Sequence, residues 1–306
     1  MKKQNKTISP HQAKLLLLNS QQLLKPDFAK GKKATLATIQ HLGYIQIDTL
    51  AVVARAHHHT LWSRQPNYKE TYLNQLLETD KTIFEYWSHA ASYLPMSDYR
   101  FSLPLKKAYS DGKSHWFNQD KKMNKYVLDK IKAEGALQSK DFEDNQKRPG
   151  MWNWKPAKRA LEQLFMEGKL MVEKRQGFQK VYNLTERVLP KNIDTSFPSE
   201  KEHTQHIIKR AIQQYGMVNE NEISYLRKGL KTSINKSLKH LLKEGELIEV
   251  NLEAAENSLF ITTEQQLKSI ENIKPKSSIH LLSPFDNAVI QRKRLQRTFN
   301  FDYIIE

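Results

Sequence analysis

Gly43-Tyr44-Ile45-Gln46-Ile47-Asp48 joins a predicted helix to a predicted strand in this 306-residue chain. Successive side chains of an extended strand point to opposite faces, so Ile45 and Ile47 are predicted to be buried. Gln46 and Asp48 then share the other face, with their Cα atoms about 6.6 Å apart, two rises of roughly 3.3 Å. An amide and a carboxylate placed in this way are able to hold a water molecule between them. The alternative is the solvent-facing side of a half-buried strand.

The same junction occurs three times along the chain. In each, a glycine ends a helix and an aliphatic residue two positions later opens a strand. The other two junctions are Gly168-Lys169-Leu170-Met171-Val172-Glu173 and Gly245-Glu246-Leu247-Ile248-Glu249-Val250. Helices with apolar residues at i, i+3, i+4 and i+7 precede them, and two strands follow. Helix, helix, helix, hairpin is the winged-helix plan, so the sequence predicts an α+β, mainly helical fold with three tandem winged helices.

The three copies define the predicted domains. At the positions of Gln46 and Asp48 the second copy has Met171 and Glu173, so the fold itself does not require a glutamine and an aspartate there. The predicted domains are 1–118, a first winged helix with an aromatic-rich extension; 119–195, the second winged helix; 200–264, the third; and 275–306, a basic C-terminal segment.

The charge of the chain indicates the class of its partner. Lys and Arg outnumber Asp and Glu by 49 to 33, which gives a formal charge of +16 and a pI near 9.6. Such a balance predicts a polyanionic partner, and nucleic acid is the commonest one for a basic protein. No apolar run approaches the ~20 residues that cross a bilayer, and Met1-Lys2-Lys3 leads into polar residues. We therefore expect no membrane partner and a cytoplasmic location.

Metal and cofactor chemistry finds little support in the sequence. The chain has no cysteine, which excludes disulfides, thiolate nucleophiles and zinc sites with Cys ligands. The run His57-His58-His59 invites a metal interpretation, but on a strand only His57 and His59 share a face. No carboxylate falls at a ligand spacing beside them. We expect no metal and no other cofactor, and favour packing or polar contacts to DNA for these histidines.

Several basic residues are candidates for DNA contact. In the second copy, the third helix turns Lys155, Lys158 and Arg159 away from its apolar stripe, as a recognition helix in a groove does. The alternative is a solvated helix face, since Glu162 is nearby. A denser cluster lies at Arg292-Lys293-Arg294 and is either phosphate-binding or solvated. The full set of predicted DNA contacts is Arg55, His57, His59, Arg64, Lys155, Lys158, Arg159, Arg175, Arg292 and Arg294.

Motifs along most of the chain resemble a known family, the YcaQ/AlkZ-type winged-helix DNA glycosylases. The resemblance is carried by Leu42-Gly43-Tyr44-Ile45-Gln46-Ile47-Asp48-Thr49, Val52-Val53, Arg55-Ala56-His57 and Ser63-Arg64. Further matching runs are Phe84-Glu85-Tyr86-Trp87, Asp141-Phe142-Glu143, Trp154-Lys155-Pro156-Ala157-Lys158-Arg159-Ala160-Leu161 and Leu281-Leu282-Ser283-Pro284-Phe285-Asp286.

The resemblance implies both a fold and an activity. The family is known for tandem winged helices followed by a C-terminal β-barrel, and for excising alkylated purines, including interstrand crosslinks formed through guanine N7. Its catalytic signature of Gln, an aliphatic residue, then Gln or Asp falls on Gln46-Ile47-Asp48. It implies a monofunctional DNA repair hydrolase that acts as a monomer on double-stranded DNA with alkylated purines, in the cytoplasm at the nucleoid. Because the chain stops at Glu306, where family members usually continue, the barrel is expected to be missing or truncated.

The chemistry of the lesion fits these two residues. An N7-alkylated guanine is already cationic, so its glycosidic bond breaks without a general acid. Asp48 is suited to deprotonate a water molecule and to stabilise an oxocarbenium-like sugar, while Gln46 orients that water. The motif holds no lysine, so a Schiff-base lyase step is not expected.

Two other classes of function compete with the glycosylase. A non-catalytic winged-helix regulator would bind DNA without cutting anything, since fold does not fix function. A structural scaffold would use its wings for protein contacts and would bind DNA weakly. The Gln46 and Asp48 pair discriminates between them, because neither a regulator nor a scaffold needs it.

The net charge predicts how DNA binding responds to salt. Each phosphate that is neutralised releases counterions, so log K for duplex DNA should fall by about 0.9 per contact for each unit of log salt concentration. Fluorescence anisotropy with a labelled duplex at increasing salt measures this slope. An affinity that barely changes between low and moderate salt would contradict the nucleic-acid assignment.

Overall fold

The computed structural model describes residues 6–24, 30–49, 51, 53–112, 120–142, 156–227, 229–253, 259–274 and 279–303. Its helices are α1 (Pro10–Ser20), α2 (Lys32–Leu42), α3 (Ala56–Trp62), α4 (Glu70–Glu78), α5 (Leu103–Ser110), α6 (Lys121–Glu134), α7 (Pro156–Met166), α8 (Thr185–Val188), α9 (Glu200–Tyr215), α10 (Glu220–Ile223), α11 (Lys231–Lys243), α12 (Glu264–Ser269) and α13 (Arg292–Phe299). Short 3-10 helices cover Met96–Ser102, Ser139–Phe142 and Ile270–Asn272. The strands are β1 (Lys6–Ile8), β2 (Ile45–Gln46), β3 (Ile83–Trp87), β4 (Ala91–Pro95), β5 (Leu137–Gln138), β6 (Leu170–Gln176), β7 (Gln179–Leu184), β8 (Ile248–Leu252) and β9 (Leu259–Thr262).

The strands of the described residues form three small sheets, with the orders β1-β8-β9, β2-β4-β3 and β5-β7-β6. β6 pairs antiparallel with β7, and β8 pairs antiparallel with β9, so each of these two junctions is followed by two paired strands as predicted. The mixed, mainly helical α+β class is therefore confirmed. The number of winged helices and the state of the C-terminal barrel stay predictions.

The chain divides into two compact units that differ from the predicted domains. The first comprises Met1–Lys69, Trp87–Tyr93 and Pro198–Glu306, and the second comprises Glu70–Tyr86 and Leu94–Phe197. The predicted domain 119–195 lies wholly in the second unit. The predicted domain 1–118 is split, because most of its first 69 residues pack with the C-terminal third of the chain.

The N-terminal helix explains why the first unit joins distant parts of the sequence. Ser9 and Gln12 form a capping box at the start of α1, which fixes where the helix begins. Leu17 of α1 is buried in the same apolar cluster as residues of α9 and α11. Ahead of α1, β1 pairs in parallel with β8, where Lys6 lies opposite Val250. Helix and strand together place the N-terminal residues on the core of the third predicted winged helix.

The second unit has its own core around α6, α7 and the sheet β5-β7-β6. Asp120 caps α6 by accepting a hydrogen bond from the Met123 backbone, and α7 buries its predicted stripe of apolar residues, including Leu161 and Leu164. Lys106 is enclosed here with its Nζ 3.8 Å from the centroid of the Tyr99 ring, and burial lowers the pKa of this amine to about 7. None of the described helices is long and apolar enough to cross a membrane.

A buried ion pair ties the C-terminal region to α3 within the first unit. The guanidinium of Arg64 forms a bidentate salt bridge with Asp286, at 2.7 and 2.9 Å, and neither side chain is exposed. Its remaining N–H groups donate to the backbone carbonyls of Gln21 and Thr60 and to the Gln21 side chain. All five donors of the guanidinium are therefore satisfied. Asn287, next to Asp286, donates to the backbone carbonyl of Tyr44 at 3.0 Å, just before β2.

Removing either partner of this pair should destabilise the protein strongly. Arg64→Met leaves Asp286 buried without its countercharge, and Asp286→Leu does the same to Arg64, so each should lower the free energy of unfolding by about 3–5 kcal/mol. The double variant should lose much less than the sum of the two. Urea unfolding measures these changes.

The exposed pair between Lys6 and Glu264 provides a matched control, because both side chains are about half exposed. Lys6→Met should change stability by under about 1 kcal/mol. Equal effects of Lys6→Met and Arg64→Met would contradict the importance of the buried pair.

Candidate active site

The segment that carries Gln46 and Asp48 follows a glycine that the backbone conformation requires. Gly43 ends α2 in the left-handed conformation, with φ +76°, and its N–H donates to the carbonyl of Ile39. An L side chain is strained at this φ. The side chain of Arg210 also packs 3.5 Å from where a Cβ would lie. The chain turns sharply here and enters β2 at Ile45.

β2 is shorter than predicted, and its partner lies far away in the sequence. Ile45 pairs with Tyr93 and Gln46 with Ser92, in antiparallel register with β4, and the Ile47 N–H donates to the carbonyl of Ala91. Residues 45 to 47 are all buried, so both faces of the strand are covered rather than one. Gln46 is only 8% exposed, and Asp48 follows the strand half-buried. The alternative interpretation, in which Gln46 lies on the solvent-facing side of a half-buried strand, does not hold.

Arg55 contacts the backbone just after Asp48. Its Nη1 donates to the carbonyl of Thr49 at 2.8 Å, and Ala51 forms an isolated β-bridge with Arg55. Arg55 is also the residue that precedes the first turn of α3. One arginine thus connects the residue after Asp48 to the next helix, which restricts the backbone on the C-terminal side of the candidate base.

His89 contacts Gln46 directly, and sequence reasoning did not single it out. Its Nε2 lies 3.0 Å from Oε1 of Gln46, and its ring meets Tyr44 edge-on, with centroids 5.0 Å apart. On another side lies Tyr225, at 5.9 Å between centroids. Burial, and secondarily the positive charge of Arg227, lower the pKa of His89 to about 4. The imidazole is therefore neutral at pH 7, with Nε2 at hydrogen-bonding distance from the Gln46 amide oxygen.

A buried tyrosine and a guanidinium complete the surroundings of His89. Burial raises the pKa of Tyr44 well above its ordinary value, and the neighbouring Tyr215 adds to the effect. Arg227 lies half-buried close to both tyrosines, and burial lowers the pKa of its guanidinium. Both hydroxyls therefore stay neutral at physiological pH.

Comparison with known proteins assigns the chain to a family. A family model described as DNA glycosylase AlkZ-like matches residues 39–306, which include Gln46, Asp48 and His89. This chain belongs to the AlkZ-like DNA glycosylase family. Among solved structures it is similar to the DNA glycosylase AlkZ of Streptomyces sahachiroi, with a TM-score of 0.65 and 15% sequence identity over 92% of this chain and 76% of that chain. At this identity the structural match supports the fold, and the family match supports the activity.

The AlkZ-like chain is therefore a DNA glycosylase, a DNA-binding hydrolase of DNA repair. The resemblance found in the sequence is confirmed. The regulator and the scaffold that competed with it are not supported by these findings.

The histidine run of this AlkZ-like enzyme is helical, which corrects the strand assumed for it. His57, His58 and His59 lie in α3, where successive side chains are about 100° apart and no two of the three share a face. His57 is buried with its ring 5.7 Å from that of Tyr93, and His58 Nδ1 lies 2.8 Å from the Tyr68 hydroxyl. Among the described residues no group of three His, Asp or Glu side chains is arranged to hold a metal ion. The absence of a metal stays a prediction.

Three of the arginines predicted to contact DNA have structural roles instead. Arg64 is fully buried with Asp286, and Arg175 forms a bidentate pair with Glu85 that leaves its side chain only 8% exposed. Arg294 is 3% exposed, lies 2.9 Å from a carboxylate oxygen of Glu222, and stacks 3.4 Å from the centroid of the Tyr215 ring. Burying such a charge requires a partner, and each arginine has found a carboxylate within the protein. These positions correct the prediction that they contact phosphate.

Other residues of this chain that were predicted to contact DNA stay candidates. Arg292 is exposed at the start of α13, and His59 on α3 is half-buried. Lys158 and Arg159 lie half-buried on α7, in the second unit. Lys155 falls outside the described residues.

Proposed function

We propose that this enzyme excises cationic, N7-alkylguanine-type bases by hydrolysis, with Asp48 as the base and Gln46 orienting the water. The observation that carries the proposal is the pairing of Gln46 with Ser92 and its contact with His89, which fixes a buried amide two residues before a half-buried carboxylate. Membership of a glycosylase family supplies the reaction class. DNA that contains alkylated purines, including interstrand crosslinks, is the proposed substrate.

The proposed reaction needs one ionisable group. The water oxygen forms a bond to C1′ of the deoxyribose while the C1′–N9 bond breaks, and the electron pair of that bond neutralises the positive charge of the purine. Asp48 takes the proton from the water and stabilises the positive charge that develops on the sugar. The products are a neutral alkylated base, an abasic site and a protonated carboxyl group, so atoms and charges balance. No acid is needed, because the leaving group is already cationic.

DNA recognition in this proposal uses basic residues of both units. Arg292 is exposed, and its guanidinium carbon lies 5.7 Å from the centroid of the Tyr303 ring. Lys158 and Arg159 on α7 are the proposed contacts of the second unit. Contacts of this kind position the duplex through its phosphates and carry no sequence information.

The first test of this proposal is a pair of substitutions in the motif. Asp48→Asn keeps the size of the side chain but removes the base, so single-turnover excision of N7-methylguanine should fall by about 10²- to 10⁴-fold. DNA affinity should change little, because a carboxylate near phosphates does not promote binding. Gln46→Ala should also slow excision. Release of free base from alkylated duplex DNA measures the rates.

Glu173 provides a matched control, because it occupies the position in β6 that corresponds to Asp48 in the repeated junction. Its side chain accepts a hydrogen bond from Asn183 at 2.6 Å. Glu173→Gln should excise at the wild-type rate. If Asp48→Asn and Gln46→Ala both remain as active as the wild type, catalysis lies elsewhere.

A second test concerns the charge of the leaving base. With Asp48 alone, neutral lesions such as uracil or etheno-adenine lack help for the leaving group and should be poor substrates. Crosslinks through two N7 atoms carry the required charge, but a tethered base does not swing easily into a deep pocket, so their excision requires an open site. Duplexes with each lesion at one position, scored for base release, make the comparison. Fast release of uracil with none of N7-methylguanine would overturn the proposal.

A further inference from the structure

We propose that His89 is a positioning residue that selects the productive orientation of the Gln46 amide, an inference that rests on the proposed roles of Gln46 and Asp48. By holding Oε1 of Gln46, the His89 N–H turns the NH₂ group of that amide away from His89 and leaves it for the attacking water. The contact is the 3.0 Å approach of His89 Nε2 to Gln46 Oε1.

Packing alone does not choose between the two orientations of a glutamine amide. The oxygen and the NH₂ group have nearly the same size, so only hydrogen bonds distinguish a side chain from its flipped form. Gln46 is 8% exposed, which limits the bulk water that would otherwise satisfy either form. Its neighbour must therefore supply the selection, and His89 is the neighbour that contacts the oxygen.

The surroundings of His89 keep its ring in one place. The Tyr44 ring lies edge-on to the His89 ring, and the centroid of the Tyr225 ring lies 5.9 Å from that of His89. The Ser88 N–H donates to the backbone carbonyl of Ala90 and closes the turn that contains His89. Two residues further on, Ser92 of β4 pairs with Gln46 of β2, so the strand that follows His89 also holds the backbone of Gln46. The guanidinium of Arg227, on the same loop as Tyr225, disfavours a second positive charge on the imidazole. We propose that the neutral ring carries its hydrogen on Nε2, and in this tautomer Nε2 donates to Oε1 of Gln46.

The orientation matters because of what each end of the amide does to water. An NH₂ group donates to the water oxygen and leaves both water protons free, so that one is available to Asp48. A flipped amide would accept a water proton and compete with Asp48 for it. The interaction of His89 with the oxygen therefore favours the orientation in which proton transfer to Asp48 is unopposed.

The alternative is that His89 only packs between Tyr44 and Tyr225. Three substitutions distinguish the two roles. His89→Leu fills space without a donor and should lower the single-turnover rate on N7-methylguanine by on the order of 10²-fold, as misplacement of a catalytic group does. His89→Gln places an amide N–H near the position of Nε2 and should recover most of the rate. His89→Asn has the same chemical groups on a shorter side chain and should stay slow. The dissociation constant for lesion DNA should remain near that of the wild type in all three.

A double-mutant cycle with Gln46→Ala gives the decisive comparison. If His89 acts through Gln46, His89→Leu should cause no further loss in the Gln46→Ala background. If the rate losses of His89→Leu and Gln46→Ala multiply in the double variant, the inference is overturned. Equal excision rates for His89→Gln and His89→Asn would overturn it as well. Either result would leave the proposed function intact. A wild-type rate for Gln46→Ala would instead overturn the proposed function itself. If urea unfolding shows that His89→Leu does not fold, the comparison of the two polar variants still decides the question.

Discussion

The buried pair between Arg64 and Asp286 is the interaction on which the first unit depends. All N–H donors of the Arg64 guanidinium have acceptors, and these lie at positions 21, 60 and 286, which are far apart in the sequence. Asn287 then reaches the carbonyl of Tyr44, at the entrance to the strand of the candidate active site. The strand of Gln46 is thus anchored by residues more than 200 positions away in the sequence.

Local features of the fold could be predicted from the sequence because their causes are local. The capping box of α1 and the left-handed glycine that ends α2 depend on residues within one helical turn. The hairpin of β6 and β7 also forms between neighbouring segments. The partner of β2 was not predictable in this way, since its register with β4 joins residues 46 positions apart and no short-range signal encodes it. Long-range packing also brought the N-terminal residues onto the core of the third repeat.

In the candidate site, too, neighbouring residues could be identified from the sequence, whereas a contact between distant residues could not. Gln46 and Asp48 stood out as a pair two residues apart, whereas His89 was hidden among aromatic residues whose pattern indicates only a core. Contact with DNA was predicted for arginines whose partners inside the protein the sequence does not reveal. A sequence shows the charge of Arg175 or Arg294 but not the carboxylates of Glu85 and Glu222 that neutralise them. A basic residue therefore indicates a DNA contact only after its partners inside the protein are known.

The discontinuity of the first unit has a consequence for synthesis of the enzyme on the ribosome. Residues 94–197, most of the second unit, emerge long before Asp286 does, and domains generally fold as units as they leave the ribosome. The unit that contains Gln46 and Asp48 lacks the partner of Arg64 until about 90 further residues have been added, which takes on the order of ten seconds at about 5–20 residues/s. Throughout this interval the nascent chain holds Gln46 and Asp48 without the pairing of Arg64 and Asp286. The strand of the candidate active site is therefore anchored only after the residues around Asp286 have been synthesised.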